Sequence, residues 1–401
     1  MTLPTDLDHD AGALRAAMVK GLADATADAG ADALSPVRPA WLAAAEEVPR
    51  LAADHLDAQG LTVWEPVTSN LDYGRWLAAS YSDTTLIRQF DGEETDWEQP
   101  AVRHGGAPTS SSTLPSLVLR MWSDADVVEG NTVLEIGTGT GYSTALACER
   151  LGSSHVTSVE VDAVRLEGAA DALYGRGYTP TLARADGCYG YWPEAWFDRI
   201  VATCSFQSVP PALLRQTRPG GKILLPLSGW LYGSTRVLLT VAEDGTAEGP
   251  LLPGTISFMP ARTRAAPAYG NPADWAAGLH EDRPRSARHT PERITAATEE
   301  AFHLRFLAQR AVPDAQLVTV DGVLHLIDVV SGSVATLTPD GGNWSVREGG
   351  PLELWSRFEQ FIDAVDAAGR PRPETYTLRV DGDGQRLLHA QVPEPGLPLG
   401  R

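Results

Sequence analysis

Lysine is almost missing from this 401-residue chain: Lys20 and Lys222 are the only two, and 52 acidic against 32 basic residues leave a formal net charge of −20. So little positive charge argues against nucleic acid as a partner, because phosphate binding needs a basic face. Cysteine is scarce as well. Cys148, Cys188 and Cys204 show no metal-ligand spacing, so no metal is assigned; they suit small core positions in a reducing cytoplasm. No apolar run reaches the roughly 18 residues that a membrane span needs. The polar, acidic Met1–Ala11 stretch argues against a signal peptide. The chain is 43% hydrophobic, which suffices for a full core and for more than one domain.

The richest stretch is Val133-Leu134-Glu135-Ile136-Gly137-Thr138-Gly139-Thr140-Gly141-Tyr142. An apolar run, a glycine turn and the expected helix Tyr142–Leu151 make the cradle of a nucleotide-like ligand. The dinucleotide fingerprint requires G-x-G-x-x-G. Here Tyr142, Ser143 and Thr144 follow Gly141, so the third glycine of that fingerprint is missing, while the acidic Glu135 precedes the loop. A carboxylate there suits a cationic amino-acid moiety and repels a pyrophosphate. E-x-G-x-G-x-G therefore resembles the first motif of class I S-adenosylmethionine methyltransferases.

The surroundings read as a βα series. A strand His155–Glu160 ends in an acid placed to accept ribose hydroxyls, with Val161 beside it; the competing reading, a helix N-cap, fits Asp162 better. Thr179–Ala183, Asp186-Gly187, the strand Phe197–Thr203, a helix Pro210–Thr217 and a turn at Pro219-Gly220-Gly221 into Lys222–Leu227 follow. Alternation of this kind implies a parallel sheet, with the ligand at the carboxyl ends of the strands, where Glu135, Glu160, Asp186 and Thr203 fall.

Several further motifs run in one order: Ala40–Arg50 ("AF..VPR"), Tyr81–Leu86 ("Y.D.PL"), Val133–Tyr142 ("VLEIGTGSGY"), Asp186-Gly187, Phe197–Ile200, Gly220-Gly221 before Leu225–Leu227, and Ile256–Pro260 as a closing strand. From about Ala40 to Ala261 the chain resembles the protein-L-isoaspartate O-methyltransferases. The resemblance implies an α/β, class I methyltransferase, Rossmann-like doubly wound sheet, and S-adenosyl-L-methionine held by Glu135, Gly137, Thr138, Gly139, Gly141, Tyr142, Glu160, Val161, Asp186, Gly187 and Thr203. The family's "G.TISQP" loop, which holds the substrate carboxylate, corresponds to Gly106–Pro115. Counting back from the shared proline places Thr113 at the family's catalytic serine position, with Ser112, Ser111 and Ser110 beside it. An acidic, aromatic insertion, Phe90–Pro100, precedes this loop. A tail of some 140 residues, without counterpart in the compact repair enzyme, follows the core.

The "PTSSS" loop and the tail are similar to a branch of the family associated with ribosomal peptide maturation, beside ATP-grasp, lanthipeptide or lasso machinery. That resemblance implies methylation of an aspartate side chain in a precursor peptide already cyclised by a partner enzyme. The ester then closes to an aspartimide, which hydrolyses to isoaspartate. An aspartate of pKa about 4 is already ionised, so attack on a sulfonium methyl needs no general base. Hydroxyl and N–H donors at Ser110–Thr113 suit the task of orienting it. The alternative is that one of these hydroxyls is the N-cap of the following helix.

Thr109, Ser205 and Gln207 are candidate substrate contacts, although a plain polar loop explains the last two equally well. Arg283, Arg285, Arg288 and Arg293, with Arg262 and Arg264, form a local basic concentration that either steers an acidic peptide or is solvated surface. Punctuation divides the chain into an N-terminal helical region, 1–80, the methyltransferase domain, 81–262, and an α+β extension, 263–401, a candidate peptide-binding element. Within the extension the pattern predicts a helix over 291–307, strands around the Asp321-Gly322 and Ser331-Gly332-Ser333 turns, a helix over 352–368 and a hairpin at Asp381–Gly384. Isoaspartyl repair is the rival function, a small-molecule O-methyltransferase the more distant one, and a vestigial nucleotide-binding scaffold the last.

Overall fold

The computed structural model describes residues 5–27, 37–50, 54–58, 62–279, 284–389 and 397–398. They divide into two compact units, one of residues 1–204 with 211–224 and the other of residues 205–210 with 225–401.

The first unit opens with α1 (Thr5–Ala27) and α2 (Pro39–Glu47), but the region 1–80 is not helical throughout. Strands β1 (His55–Ala58) and β2 (Val63–Val67) come before α3 (Tyr73–Ser80), and β3 (Leu86–Phe90), β4 (Arg103–His104) and β5 (Pro108–Ser112) follow. Together they form an antiparallel sheet in the order β4-β2-β1-β3-β5. These strands are short and only half-buried, so the alternation that would mark them in the sequence is weak. The hydroxyl stretch is therefore a strand. It pairs with β3 through Leu86–Ser112, Ile87–Ser111 and Gln89–Ser110. Helix α4 (Pro115–Asp124) starts at Leu114 with no side-chain cap, so none of the hydroxyls is its N-cap. A proline at the first helical position needs no acceptor for its missing N–H; Ser116 N–H instead donates to Asp83 at 2.8 Å. Trp122 on α4 stacks on Trp41 of α2, with ring centroids 5.5 Å apart, and both are fully buried.

The βα series then appears as expected: β6 (Val133–Ile136), α5 (Tyr142–Leu151), β7 (Val156–Glu160), α6 (Ala163–Tyr174), β8 (Thr181–Arg184), β9 (Phe197–Ala202), α7 (Pro211–Arg215) and β10 (Thr217–Ser228). β6 pairs in parallel with both β7 and β9, β8 extends β7, and residues 217–224 of β10 pair in parallel with β9. The strand order, not the strand direction, thus reverses between β6 and β9, the switch point at which open α/β sheets bind ligands. Rather than forming a turn, Pro219-Gly220-Gly221 lies within β10, where the pairing shifts register.

In the second unit, β11 (Ser234–Val241) and β12 (Ala247–Leu252) form a hairpin, although the sequence boundary at 262 assigns them to the catalytic domain. Ile256–Pro260 is no strand; it contributes a single bridge, Pro260 to Ser205. After α8 (Pro272–Ala277) and β13 (Arg285–Ser286), the helix expected over 291–307 is broken into α9 (Glu292–Thr295) and α10 (Glu299–Ala308), because Thr298 caps a new helix by accepting from Ala301 N–H. β14 (Gln316–Val320), β15 (Val323–Asp328), β16 (Ser333–Asp340) and β17 (Asn343–Gly349) form a meander completed by β13. Its first turn is Asp321-Gly322, with φ of 48° and 78°, the two left-handed residues of a tight hairpin. Helix α11 (Leu354–Ala367) buries Leu354, Trp355, Phe358, Phe361 and Ile362 as core. β18 (Thr377–Asp381) pairs with β12 and with β19 (Gly384–Leu388), the hairpin read at Asp381–Gly384.

The arginine concentration is largely consumed within this unit. Arg285 binds Glu348 and Glu359, Arg288 binds Glu359 and Asp363, and Arg293 binds Asp366. These ion pairs leave little free charge for peptide steering, and Arg288 stays half-exposed at the surface. Arg283 lies outside the described residues, and Arg262–Arg264 forms a short 3-10 turn.

Candidate active site

The cradle is built by backbone geometry. Gly137, Gly139 and Gly141 have φ of 98°, 57° and 84°, a region that side chains with a Cβ rarely enter. A Cβ on Gly137 would stand 2.5 Å from Thr203 Oγ1, one on Gly139 3.4 Å from the Ser111 carbonyl, and one on Gly141 3.2 Å from Leu173 Cγ. Each glycine therefore has its own neighbour: the end of β9, the hydroxyl strand, and α6. Gly187 is as tight, since a Cβ there would meet Ile136 Cγ2 at 2.1 Å.

Thr203 Oγ1 donates toward the carbonyls of Ile136 (3.0 Å) and Gly137 (2.8 Å), which ties β9 to the loop. Thr138 and Ser158 share a hydroxyl hydrogen bond of 2.7 Å. Tyr142 opens α5 with its ring buried and, among the described residues, no partner for its hydroxyl; burial pushes that phenol well above its ordinary value.

Glu135, the acid expected at the ligand, sits within a cluster of hydroxyls. Its carboxylate is 0% exposed, and Oε2 accepts from the hydroxyls of Thr144 (2.5 Å) and Ser158 (2.8 Å), linking β6, α5 and β7. Among the described residues Oε1 has no hydrogen-bond partner, and burial raises the carboxyl pKa against the pull of the Ser143, Thr144 and Ser158 hydroxyls. The side chain braces the loop from behind.

Glu160, the last residue of β7, is half-buried. Oε1 accepts from Val161 N–H (2.9 Å) and Asp162 N–H (3.1 Å), and Oε2 from Gly139 N–H (3.0 Å). A carboxylate offers about four lone-pair sites, so one remains on Oε2 for a ligand hydroxyl. Asp186 accepts from Cys188 N–H at 2.9 Å. Glu160 and Asp186 both raise the thiol pKa of half-buried Cys204, after burial itself, so two carboxylates lie near the end of β9. Glycine backbone for close approach, an acidic field and a free carboxylate lone pair fit S-adenosylmethionine, whose sulfonium is a cation.

On the hydroxyl strand, Ser110 and Ser112 are buried, while Ser111 and Thr113 are half-buried. Among the described residues the side-chain oxygens of Ser111 and Thr113 have no protein partner. Thr109 does not offer a free hydroxyl: it donates to Gln89 Oε1 and accepts from Gly92 N–H, both at 2.9 Å. In the second unit, Ser205 Oγ donates to the Phe258 carbonyl (3.1 Å) and accepts from Ser228 Oγ (2.7 Å), so it too is engaged. The Gln207 carbonyl faces Arg310 Nη1 at 3.5 Å.

Arg50 was given no role by the sequence beyond its place in the "VPR" match. The residue is 5% exposed and, among the described residues, forms no ion pair with a carboxylate. Nη1 donates to the Ser82 carbonyl (3.0 Å), Nη2 to those of Thr84 (2.7 Å), Ser112 (2.9 Å) and Thr113 (3.1 Å), and Nε to Ser112 Oγ (3.3 Å). Burial lowers its pKa to about 10. It fixes the end of the hydroxyl strand.

The Protein-L-isoaspartate(D-aspartate) O-methyltransferase (PCMT) family matches residues 88–247. The protein-L-isoaspartate O-methyltransferase of Ignicoccus hospitalis is 35% identical over 166 residues, covering 41% of this chain and 77% of that protein. The chain belongs to the protein-L-isoaspartate O-methyltransferase family. Another member, protein-L-isoaspartate O-methyltransferase 2 of Syntrophobacter fumaroxidans, is 36% identical over 148 residues, 36% of this chain but only 58% of that protein. A solved structure named protein-L-isoaspartate O-methyltransferase has a TM-score of 0.51 at 20% identity and covers 94% of this chain and 99% of its own. That likeness concerns the fold alone. It nevertheless corrects the expectation that the tail has no counterpart, because a structure of that name extends over nearly the whole chain. No helix among the described residues is long and apolar enough to cross a membrane.

Proposed function

We propose that this chain is an S-adenosylmethionine-dependent carboxyl O-methyltransferase acting on an aspartate side chain of a ribosomally made, modified peptide. One observation carries the chemistry: the hydroxyl strand lies directly against the glycine loop, with the Ser111 carbonyl 3.4 Å from where a Gly139 Cβ would stand. No histidine or lysine occurs in Pro108–Leu114 or Glu135–Tyr142, and a carboxylate of pKa about 4 requires no base to be nucleophilic.

S-adenosylmethionine supplies an electrophilic methyl group on a sulfonium. Glu160 would accept a ribose hydroxyl on its free Oε2 lone pair, the glycine backbone would admit the cofactor closely, and the acidic surroundings of Cys204 would favour the positive charge. Ser111 and Thr113 donate hydroxyl hydrogen bonds to the acceptor carboxylate, and Arg50 keeps their backbone in place. Orientation of this kind lowers the barrier without proton transfer. The ester leaves the site as product; attack by the following backbone nitrogen on its carbonyl carbon expels methanol, which carries off the amide proton, and forms an aspartimide.

The altered "PTSSS" segment favours the peptide-maturation reading. The family names of the relatives and the full-length fold match support a second one, methylation of isoaspartyl residues in damaged proteins. Incubating the protein with S-adenosylmethionine and either a cyclised aspartyl precursor or a linear isoaspartyl peptide separates the two. The proposal expects methyl transfer, then loss of methanol, on the cyclised peptide at the higher kcat/KM. Preference for the isoaspartyl peptide assigns the chain to repair.

A further inference from the structure

Beside the glycine loop, the first unit contains a cavity of about 760 Å³ to which Gly139 and Thr140 contribute. That size falls among ligand clefts, which span about 300–1,000 Å³. Its lining is unlike the rest of this acidic chain. Five arginines face it, Arg15, Arg50, Arg88, Arg165 and Arg176, against a single carboxylate, the exposed Glu167.

Among the described residues only one of the five forms an ion pair, Arg165 with Glu94 of the acidic insertion. Arg50 meets carbonyls and a hydroxyl. Arg88 lies over the Trp97 ring, 5.2 Å from its centroid, and its Nε is buried without a partner. Among the described residues neither Arg15 nor Arg176 pairs with a carboxylate, and Arg15 approaches the Tyr81 hydroxyl. In the second unit, by contrast, Arg285, Arg288 and Arg293 each pair with a carboxylate. Burial, foremost, and the neighbouring Arg165 charge lower the Arg88 pKa to about 10, against the pull of Asp54 and Glu94.

Three aromatic rings, Tyr73, Trp76 and Tyr81, line it as well, among small and aliphatic residues. Unpaired guanidinium groups between apolar rings suit carboxylates carried on side chains more than a compact inorganic anion, which would favour a nest of backbone N–H groups. Gly139 is common to the cavity wall and to the contact with Ser111, so one bound polypeptide can reach both.

We propose that this cavity binds an acidic flank of the polypeptide acceptor, one or more Asp or Glu side chains close in sequence to the methylated residue. The inference rests on the polypeptide-acceptor reading above, and its test is arranged to fail separately. The probes are N-acetyl-Val-Tyr-Glu-Glu-Glu-amide and its triple-Gln counterpart, which contain no aspartate, titrated calorimetrically into the full chain saturated with S-adenosylhomocysteine. Three partly screened ion pairs predict about tenfold tighter binding of the Glu peptide, shrinking in high salt. The preference should vanish in Arg15→Gln/Arg176→Gln, and persist in Arg379→Gln, a surface control in the second unit. Arg88→Gln, checked by its unfolding curve, should do the same as the double variant.

Equal binding of the two peptides overturns the inference. So does binding of inorganic phosphate with the affinity of the Glu peptide, which would assign the cavity to phosphorylated ligands. An equal loss of S-adenosylhomocysteine affinity in Arg15→Gln/Arg176→Gln would assign it to the cofactor, with the same consequence. A Glu preference in a protein that methylates no carboxylate supports the cavity's role and refutes the proposed function instead.

Discussion

Replacing Arg50 by methionine tests whether the hydroxyl strand is held in place by a buried cation. Four of its hydrogen bonds are 3.1 Å or shorter, to the carbonyls of Ser82, Thr84, Ser112 and Thr113. Thr84 is exposed and Ser82 and Thr113 are half-buried, so water can replace the arginine there, whereas Ser112 is 2% exposed. Leaving one buried carbonyl unsatisfied costs about 1–3 kcal/mol, and losing charged donors elsewhere adds roughly 1 kcal/mol each. Against this, methionine spares the desolvation of a guanidinium that has no carboxylate partner. The balance is a loss of about 2–4 kcal/mol, or a fall of roughly 5–12 °C in the unfolding midpoint of the first unit.

Turnover should suffer beyond that. With Ser112 and Thr113 released, KM for the acceptor rises by about tenfold or more, because orientation errors near 1 Å cost heavily, while S-adenosylhomocysteine binding changes little. Arg50→Lys, which keeps the charge on a single nitrogen, should recover only part of both effects. Thermal unfolding, calorimetric titration and methyl-transfer kinetics on the same preparations check this. An Arg50→Met protein with unchanged midpoint and unchanged KM would refute the reasoning.

Thr113→Ala should cut turnover strongly and leave cofactor affinity nearly intact; wild-type kinetics in that variant would remove Thr113 from the acceptor site. Gly137→Ala forces a Cβ to 2.5 Å from Thr203 Oγ1 at a φ of 98°. It should weaken S-adenosylhomocysteine binding by about tenfold or more, the equivalent of roughly 1.4 kcal/mol, measured by titration. Asp126 is bound by Lys222 and by Arg38, both at 2.7 Å, and these cations, Lys222 foremost, lower its pKa to about 2. A depressed carboxylate stabilises the fold above its unfolded pKa near 4 and loses that contribution as pH falls toward 2. Since the side chain is 35% exposed, Asp126→Asn should cost only about 1 kcal/mol at pH 7. Denaturant melts should show the difference shrinking below pH 4.

Legibility in the sequence followed the range of the forces involved. Helix α5 has the bounds read from the sequence, because a glycine turn and an apolar period are local signals. The hairpins at Asp321-Gly322 and Asp381–Gly384 were equally plain, since the turn residues specify them. The strand character of Pro108–Ser112 was not, because Thr and Ser indicate strand, cap and loop alike until β3 supplies the pairing partner. The arginines at 285–293 read as a basic patch for a similar reason: their carboxylates, on β17 and α11, lie some 60 to 75 positions further along the chain. Glu135 was legible as the motif's acid but not as a buried brace, a role that depends on Thr144 and Ser158 arriving from two other elements. Arg50 lay within a motif whose text says nothing of the carbonyls that converge on it.

The central claim is that the methyl group ends on a carboxylate. Incubation with S-adenosylmethionine labelled in its methyl group and a cyclised aspartyl peptide, followed by mild alkali, tests it most directly. The account predicts label on the peptide that alkali releases as volatile methanol, because a carboxyl ester hydrolyses under those conditions. Label that survives alkali, as an N-methyl or phenolic methyl group would, contradicts it.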